Sequence, residues 1–396
     1  MSDLPLDGLR VLDLSRVLAG PYCTMLLADL GAEVIKIERP GSGDETRAWG
    51  PPFVAGESAY HLAVNRGKRS VALDLHGGRA QAAAARLAEK ADVLVENFRT
   101  GGAERLGVGY EQLRRVNPRL VYCSITGFGA REPSGRSGYD FVIQAESGLM
   151  SITGDAEDGP VKVGVAIVDV LAGLNAAIAI LAALRRRDRT GRGEQVEVSL
   201  LDSALSGLVN VAQSVLVTNR EAGRHGNAHS SIAPYQPLRA QDGLVAVAAG
   251  NDGLFRKLCE ALDRADLQTN PRFTTNATRV EHRAELIEQL ERTLATRPAA
   301  DWIERLTAAG VPAGKIRGVR EALAEAAATG EPATLEVDHS SLGPLELVRT
   351  APRLGSTGAR PPLPPPLLGE HTREVLREAG LGDSEIDAVV AESDVR

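Results

Sequence analysis

The strongest constraint on the fold is a regular alternation of short apolar segments and helical segments over roughly the first half of the chain. The runs Arg10–Leu14, Glu33–Ile37 and Val93–Glu96 have the length of buried strands, whereas Pro21–Leu30 and Arg79–Lys90 have helical patterns. Parallel strands need a crossover, which is usually a helix, so this alternation favours a parallel sheet with helices on both faces. We therefore predict the α/β class, with a doubly wound, Rossmann-like large domain.

The chain has 396 residues, a length that favours two domains. Helical patterns also predict helices over Leu200–Leu216 and Glu281–Ala295. A change in composition over 219–237 indicates a linker, and a second strand–helix region follows it. We predict that residues 1–218 form the first part of the large domain and 219–330 the linker and a smaller α/β domain. Residues 331–396 would return to the large domain, through an extended stretch with five prolines at 360–366.

The composition excludes several classes of protein. A net charge of −7 argues against a general nucleic-acid binder. The cysteines Cys23, Cys123 and Cys259 are widely spaced and form no CxxC pair, so we predict neither disulfides nor a metal site. This pattern fits the reducing cytoplasm. The N-terminus shows no basic segment followed by an apolar run, so no signal peptide is expected.

The segment Val163–Leu184 is mostly apolar and long enough to cross a bilayer. It contains Asp169, however, and a charge within a membrane span costs roughly 2.5–3.5 kcal/mol. Its alanine-rich remainder gains little from lipid. We therefore predict a buried helix of a large core and no membrane association.

Asp169 lies between apolar residues in a segment that must be buried. A buried carboxylate is costly unless it is paired or hydrogen-bonded. One interpretation is an N-cap for a helix that starts at Val170. The other is a catalytic role, because a partly desolvated carboxylate at a helix N-terminus is a good nucleophile. The two interpretations are compatible.

Two features of the first half bear on ligands. The loop Ser15–Pro21 lacks the GxGxxG pattern, which disfavours a nicotinamide-dependent dehydrogenase. Basic residues recur at the ends of predicted elements, where open α/β sheets bind ligands and where arginine suits phosphates. These residues are Arg39, Arg47, Lys68, Arg69, Arg99 and Arg105.

Several ordered stretches spread over nearly the whole chain match a known family. They are Arg10–Pro21, Gly31–Pro40, Asn65–Ser70, Ala91–Phe98, Thr190–Gly193 and Pro366–Thr372. On these stretches the chain resembles the class III CoA-transferases, which include formyl-CoA, carnitine and dicarboxylate CoA-transferases. The resemblance implies an enzyme that exchanges coenzyme A between an acyl-CoA and a carboxylic acid through an aspartyl anhydride and an aspartyl-CoA thioester. CoA and acyl-CoA would be substrates, and no cofactor would be permanently bound.

The resemblance also assigns residues. The pattern Gly164–Gly173 places the family's nucleophilic aspartate at Asp169. The residues implied to contact CoA are Leu18, Ala19, Arg39, Leu73, Asp74, Leu75, His76, Asn97, Phe98, Arg99, Arg105, Arg136 and Tyr139. Leu18 replaces the glutamine of formyl-CoA transferases, and only Ala248–Gly253 approaches their glycine-rich lid loop. Both departures argue against formate and oxalate as substrates.

Alternatives remain open at this stage. Related α-methylacyl-CoA racemases place a histidine where this chain has Tyr139, and tyrosine, with an ordinary pKa near ~10, is a poor base at neutral pH. A non-catalytic CoA-binding protein is the other alternative. The stretches Gly43–Phe53 and Ser231–Gln236 resemble the branch that uses succinyl-CoA and dicarboxylic acids. A dicarboxylate needs a cation for its second carboxylate, and Arg47 or an arginine of the second domain would serve.

The resemblance also predicts the assembly. Family members form homodimers in which two ring-like chains interlock, and the predicted linker and proline-rich stretch are consistent with such threading. Small carboxylic acids and acyl-CoA are the expected partners, without nucleic acid.

Overall fold

The structure is a computed structural model that describes residues 4–129, 136–328, 330, 332–354 and 362–394. The strands are β1 (Arg10–Asp13), β2 (Glu33–Glu38), β3 (Phe53–Val54), β4 (Glu57–Ser58), β5 (Lys68–Ala72), β6 (Val93–Glu96), β7 (Val121–Thr126), β8 (Gln195–Ser199), β9 (Tyr235–Arg239), β10 (Leu244–Ala248), β11 (Ala313–Lys315), β12 (Thr334–His339) and β13 (Gly343–Val348).

Helices connect and cover these strands. They are α1 (Ala19–Asp29), α2 (Ala59–Val64), α3 (Gly78–Glu89), α4 (Gly102–Arg105), α5 (Tyr110–Val116), α6 (Asp140–Glu146), α7 (Ile167–Thr190), α8 (Leu200–Gly207), α9 (Val209–Thr218), α10 (Asp252–Ala261), α11 (Ala265–Thr269), α12 (Asn276–Glu281), α13 (Arg283–Leu294), α14 (Ala299–Ala308), α15 (Val319–Ala328), α16 (Thr372–Glu378) and α17 (Asp383–Asp394), with short 3₁₀ helices at Glu45–Ala48 and Met150–Ile152.

The chain divides into two compact units. The large unit consists of Met1–Leu149, Lys162–Thr218 and Pro332–Arg396, and the small unit of Met150–Val161 and Asn219–Glu331. The described part of the large unit contains a six-stranded sheet in the order β5-β2-β1-β6-β7-β8, with every pair parallel. The predicted α/β class with a parallel sheet is confirmed.

Apolar side chains project from both faces of this sheet. Val11 and Val34 point into a core shared with α1 and α7, whereas their neighbours Leu12 and Ile35 point into a core shared with α3, α16 and α17. Successive side chains of a strand point to opposite faces, so a strand covered on both sides is apolar at most positions, and the buried charges within it must be paired. The continuous apolar runs in the sequence have this cause.

Two predicted helices are wrong in detail. The helix predicted over Leu200–Leu216 is two helices, α8 and α9, whose axes differ in direction by 77°. The chain turns at Val209, which has a left-handed φ of 41°. Similarly, the helix predicted over Glu281–Ala295 begins two residues later, as α13, and α12 precedes it. The first break follows Gly207, a residue type that often ends helices, whereas neither glycine nor proline marks the second break.

The small unit has its own core. Its antiparallel sheet follows the order β11-β10-β9, and α10 to α14 cover it. The buried side chains that hold it together include Leu238, Val245, Phe255, Leu286 and Trp302. The stretch Ala248–Gly253 lies here, where Asn251 caps α10 by accepting the Leu254 N–H at 2.9 Å.

The long apolar helix is α7. Among the described residues it is long and apolar enough to cross a bilayer, and the bent pair α8–α9 would pass the same test if counted as one span. Val168, Ala172, Ala176 and Ile180 of α7 are fully buried in the core between this helix and the sheet. This packing is that of a core helix. Of the predicted proline-rich stretch, positions 360 and 361 lie outside the described residues, and 362–366 are neither helix nor strand.

Candidate active site

The strand order creates a crevice at the carboxyl ends of β1 and β6. The chain runs from β1 toward β2 and β5 on one side, and from β6 toward β7 and β8 on the other. The two connections diverge at this point, which is where ligands bind in open α/β sheets. Arg16 and Asn97 join the two strand ends: the Arg16 N–H donates to Asn97 Oδ1 at 2.9 Å, and Asn97 Nδ2 donates to the Arg16 carbonyl at 2.7 Å.

Asp169 lies in the first turn of α7, only 9% exposed, on the wall of this crevice. One turn later, Gly173 allows α7 to approach the start of α1. A Cβ at position 173 would lie 2.6 Å from the Ala19 carbonyl oxygen, closer than real contacts allow. The close approach sets the nucleophile candidate beside the loop that carries Leu18 and Ala19.

The predicted N-cap role of Asp169 is wrong. The helix begins earlier than expected, at Ile167, and its N-cap residue Ala166 has no side chain able to cap. The Asp140 side chain caps the N-terminus of α7 instead: its Oδ1 accepts the Val168 N–H at 2.8 Å and the Asp169 N–H at 3.3 Å. Gln144 Nε2 donates a hydrogen bond to the other carboxylate oxygen, Asp140 Oδ2, at 2.6 Å. Capping by a residue from α6 leaves the Asp169 carboxylate available for chemistry.

The electrostatics of Asp169 differ from those of an exposed carboxylate. Burial, together with the negative charge of Asp140, raises the pKa of Asp169 to about 7. Removal from water disfavours the charged form, and a second carboxylate nearby disfavours it again. Strongly shifted carboxyl groups in a crevice are typical of functional sites.

The first cavity in the crevice has a volume of about 190 Å³ and contains Asp169 on its wall. Its opposite wall includes a crossing of two backbones at Gly127 and Gly138, where a Cβ on Gly138 would lie 2.3 Å from the Gly127 Cα. Only glycine fits there, so backbone rather than side chain lines that part of the cavity. The predicted site residues that line the first cavity are Leu18, Ala19, Asn97, Phe98, Arg99, Arg136, Tyr139 and Asp169.

A second cavity of about 580 Å³ lies beyond the ends of β2 and β5. Both cavities share lining residues, namely Arg16, Glu45, Phe98 and Arg99, and are therefore adjacent. The predicted CoA contacts that line the second cavity are Arg39, Leu73, Asp74, Leu75, His76, Phe98, Arg99 and Arg105. The structure thus brings every predicted site residue to one of two neighbouring cavities, and their contact with CoA stays a prediction.

The basic residues singled out by position divide into two groups. Arg39, Arg99 and Arg105 line the second cavity. The other three are not among its lining residues and are engaged in ion pairs: Arg47 with Glu38, which itself lines the cavity, Lys68 with Asp13, and Arg69 with Glu33, Glu374 and Glu378. Position at the end of an element therefore did not distinguish cavity residues from structural ones.

Arg47, one of the arginines predicted to bind the second carboxylate of a dicarboxylic acid, has other partners in the structure. Its guanidinium donates twice to Glu38, at 2.8 and 2.7 Å, and once to the Pro366 carbonyl at 3.1 Å. Arg47 is not among the residues that line either cavity. A bidentate partner already satisfies this cation, because an arginine fork matches a carboxylate in both charge and shape.

A buried charged network supports the loop between β1 and α1. Lys36 Nζ lies 3.0 Å from Asp44 Oδ2 and donates to the Ser15 carbonyl at 2.8 Å. Asp44 Oδ1 in turn accepts the Val17 N–H at 3.2 Å. Lysine and carboxylate are both fully buried, so each compensates the desolvation of the other. The network holds the loop that forms the floor of both cavities.

Sequence reasoning did not single out Arg16, Lys36, Asp44, Glu45 or Asp140. For Lys36 a signal was present, since a lysine inside the apolar strand Val34–Ile37 must have a buried partner. The role of Asp140 had no local signal, because its cap acts on a helix that begins 27 positions later.

Known proteins resemble this chain over nearly its whole length. It is 43% identical over 375 residues to the succinyl-CoA:glutarate CoA-transferase of Mus musculus, which covers 94% of this chain and 86% of that protein. It is 42% identical over 388 residues to the succinate–glutarate CoA-transferase of Agrobacterium fabrum, with 94% of this chain and 95% of that protein covered.

Solved structures give the same result. The crystal structure of a CAIB/BAIF family protein from Brucella suis superposes with a TM-score of 0.84 and 41% sequence identity, covering 96% of this chain and 100% of that one. Residues 6–372 match CoA-transferase family III. The resemblance found in the sequence is thus confirmed, and the chain belongs to CoA-transferase family III.

Proposed function

We propose that this protein transfers coenzyme A from succinyl-CoA to a dicarboxylic acid, and that the acyl group in transit is bonded to Asp169. The observation that carries the proposal is the position of one buried carboxylate. Asp169 lines a small cavity whose neighbour is lined by arginines, so a nucleophile and a site for an anionic carrier lie side by side. The names of the relatives from Mus musculus and Agrobacterium fabrum support succinate and glutarate as the acid pair.

The second cavity suits the nucleotide end of CoA. Arg39, Arg99 and Arg105 line it together with the apolar Leu73 and Leu75. Arginine binds phosphate through paired N–H donors, and apolar side chains accept the face of a base. From there the pantetheine arm would pass Phe98, which lines both cavities, and bring the thioester to Asp169.

The proposed reaction begins with attack of an Asp169 oxygen on the thioester carbonyl carbon. The carbon–sulfur bond breaks, which leaves an acyl-aspartyl anhydride and CoA thiolate. The thiolate then attacks the aspartyl carbonyl carbon, the donor acid leaves as a carboxylate, and an aspartyl-CoA thioester remains. The acceptor carboxylate repeats both steps in reverse order. No proton is gained or lost over the cycle, and Asp169 ends as the free carboxylate.

This scheme needs an ionised Asp169 in a site that excludes water. Water would hydrolyse either intermediate, and the low exposure of Asp169 limits its access. The oxygen that becomes negative during each attack needs N–H donors, and the backbone at Gly138, which lines the first cavity, can supply them.

The raised pKa of Asp169 predicts the pH dependence of the reaction. Because only the carboxylate attacks, kcat/KM for acyl-CoA should rise with pH and level off above about 7. Asp140→Asn removes one negative charge yet keeps an oxygen that can accept the same N–H groups. We expect it to move the rise to lower pH by about one unit. A rise at the same pH in the variant and the wild type would show that Asp140 does not set this pKa.

Chemical trapping tests the covalent step. Protein incubated with succinyl-CoA and then hydroxylamine should carry a hydroxamate on the peptide that contains Asp169, detected by mass spectrometry. Asp140→Asn protein is the control, because it keeps the nucleophile and should still be derivatised. Steady CoA transfer without any derivatised peptide would contradict the proposal.

We also propose that two chains form an interlocked homodimer. The helix α9 is apolar along much of its length but has no buried residue, and Val209, Leu216 and Val217 are each at least two-thirds exposed. Exposed apolar surface of this kind indicates an interface. If two rings interlock, differently tagged dimers should exchange subunits only after unfolding and refolding together, and ready exchange would contradict interlocking.

A cytoplasmic location is a further part of the proposal. Cys23, Cys123 and Cys259 are free and buried, as expected of a protein from a reducing compartment. Fractionation of cells that express the protein tests this location.

A further inference from the structure

We propose that Arg16 holds the distal carboxylate of the dicarboxylic acyl group and so selects dicarboxylic over monocarboxylic acids. This inference rests on the proposed function. It concerns a residue that sequence reasoning did not select and that lines both cavities.

The need for a cation follows from the charges in the first cavity. A dicarboxylic acid reacts through one carboxylate and carries the other into the cavity unchanged. That cavity already holds the acidic side chains Asp169 and Glu45. A further negative charge, removed from water, requires a cationic partner with good hydrogen-bond geometry.

Among the described residues, the arginines that line the first cavity are Arg16, Arg99 and Arg136. Arg136 is engaged: its guanidinium stacks 4.2 Å from the centre of the Phe128 ring and pairs with Glu146. Arg99 is exposed and faces the second cavity as well, together with Arg105, where the phosphates of CoA require cations. Of these three arginines, Arg16 is the one with a buried side-chain nitrogen that has no hydrogen-bond partner among the described residues.

The contacts of Arg16 leave part of its guanidinium group unpaired. Its guanidinium makes one side-chain ion pair, from Nη1 to Glu45 Oε1 at 3.2 Å. Its Nε is buried and has no hydrogen-bond partner within the described part of the chain. A buried donor left unpaired is costly. A carboxylate can take Nε and an Nη together, in the bidentate geometry that arginine favours.

The surroundings of Arg16 position it for this task. Its backbone is fixed by both hydrogen bonds to Asn97, so the side chain starts from a defined point at the junction of the cavities. The guanidinium lies 5.7 Å from the centre of the Phe98 ring, which lines the same junction. Glu45 is 44% exposed and can return to water when the substrate carboxylate replaces it.

A competition experiment isolates the distal charge. Glutarate and its monoamide have nearly the same shape but differ in the charge at the far end. When both compete for one succinyl-CoA pool, the ratio of the two acyl-CoA products reports the ratio of their kcat/KM values, because the donor half-reaction is common to both. In the wild type we expect glutaryl-CoA to predominate.

In Arg16→Gln we expect the preference for glutarate over the monoamide to fall about 10-fold, because the Arg16 side chain is 41% exposed and its pairing with a carboxylate is partly screened by water. Arg16→Lys keeps the positive charge but loses the paired N–H donors of the guanidinium, so it should give an intermediate product ratio. If Arg16→Gln folds poorly, Arg16→Lys takes its place in the test. Arg99→Gln is the matched control and should weaken succinyl-CoA binding without changing the ratio.

An unchanged ratio in Arg16→Gln, or a wild type that does not discriminate between the two acids, would overturn the role of Arg16. A wild-type protein that forms neither product from succinyl-CoA would instead overturn the proposed function. The two failures are therefore distinguishable.

Discussion

Replacing Asp169 by asparagine is expected to reduce CoA transfer by at least about 10⁴-fold while making the folded protein more stable at pH 8. The amide of asparagine is not a nucleophile, so neither the anhydride nor the aspartyl-CoA thioester can form. Loss of activity together with a gain in stability distinguishes a functional carboxylate from a structural one. A capping residue would instead show little change in stability, because asparagine caps a helix about as well as aspartate.

The expected gain in stability follows from the pKa of Asp169. The folded state raises this pKa from 3.8 to about 7, so between these values the folded protein binds a proton that the unfolded chain has released. Stability is therefore lost as the pH rises from about 4 to 7, and the ionised carboxylate costs up to about 4 kcal/mol above that range. Asparagine cannot ionise, so the variant should match the wild type near pH 4 and exceed it at pH 8.

Urea denaturation at several pH values, beside transfer assays, measures both effects. Asp202→Asn is a matched control, because Asp202 occupies the third position of α8 much as Asp169 does in α7. Among the described residues, its carboxylate accepts from the Ser199 hydroxyl alone, at 2.6 Å, and lines neither cavity. It should keep its activity. Asp169→Ala guards against deamidation back to aspartate, and transfer at the wild-type rate in that variant would refute the mechanism.

The central strands of the large unit, β1, β2, β6 and β7, were predictable because they are covered on both faces. Each is a short, largely apolar run, and β6 was located to the residue at Val93–Glu96. Breaks that depend on tertiary packing gave no such signal. The turn between α8 and α9 follows Gly207 in an otherwise apolar run that includes Leu208 and Val209, and a single glycine inside a helical pattern does not by itself predict a break.

The site was predictable in a similarly uneven way. Resemblance to a family located Asp169, but the cap by Asp140 depends on two segments that only the fold brings together. The partners of the arginine side chains could not be predicted from the sequence either, for the same reason. Arg47 and Arg99 both follow predicted strands. Only the folded structure shows that Arg47 is paired with Glu38, whereas Arg99 lines a cavity.

Removal of the Lys68 ammonium is expected to have the largest effect on stability of any single change outside the nucleophile. Lys68 Nζ lies 2.9 Å from Asp13 Oδ2 and donates to the Pro21 carbonyl and to Asn65 Oδ1, each at 2.9 Å. Lysine and aspartate are both fully buried. Lys68→Met would leave the Asp13 carboxylate buried without its nearest cation, which typically costs about 3–5 kcal/mol.

The state of Asp13 supports this expectation. Burial alone would raise its pKa, but the ammonium groups of Lys68 and Lys36 and the hydroxyls of Ser15 and Thr24 outweigh burial and lower the pKa to about 2. Asp13 is therefore ionised in the folded protein and depends on these partners. Because Asp13 also accepts the Ser15 N–H at 3.0 Å, its disturbance should reach the loop at the floor of the cavities.

Denaturation of three variants tests the pair. Lys68→Met should lose about 3–5 kcal/mol, and adding Asp13→Asn to it should recover part of that loss, because the double variant no longer buries an unpaired charge. Lys90→Met is the control: Lys90 is exposed, donates only to the Glu378 carbonyl at 3.1 Å, and should cost at most about 0.5 kcal/mol. If Lys68→Met proves no more harmful than Lys90→Met, the loop does not depend on this ion pair, and the Lys36–Asp44 network together with the packing of α1 against α7 is enough to position it.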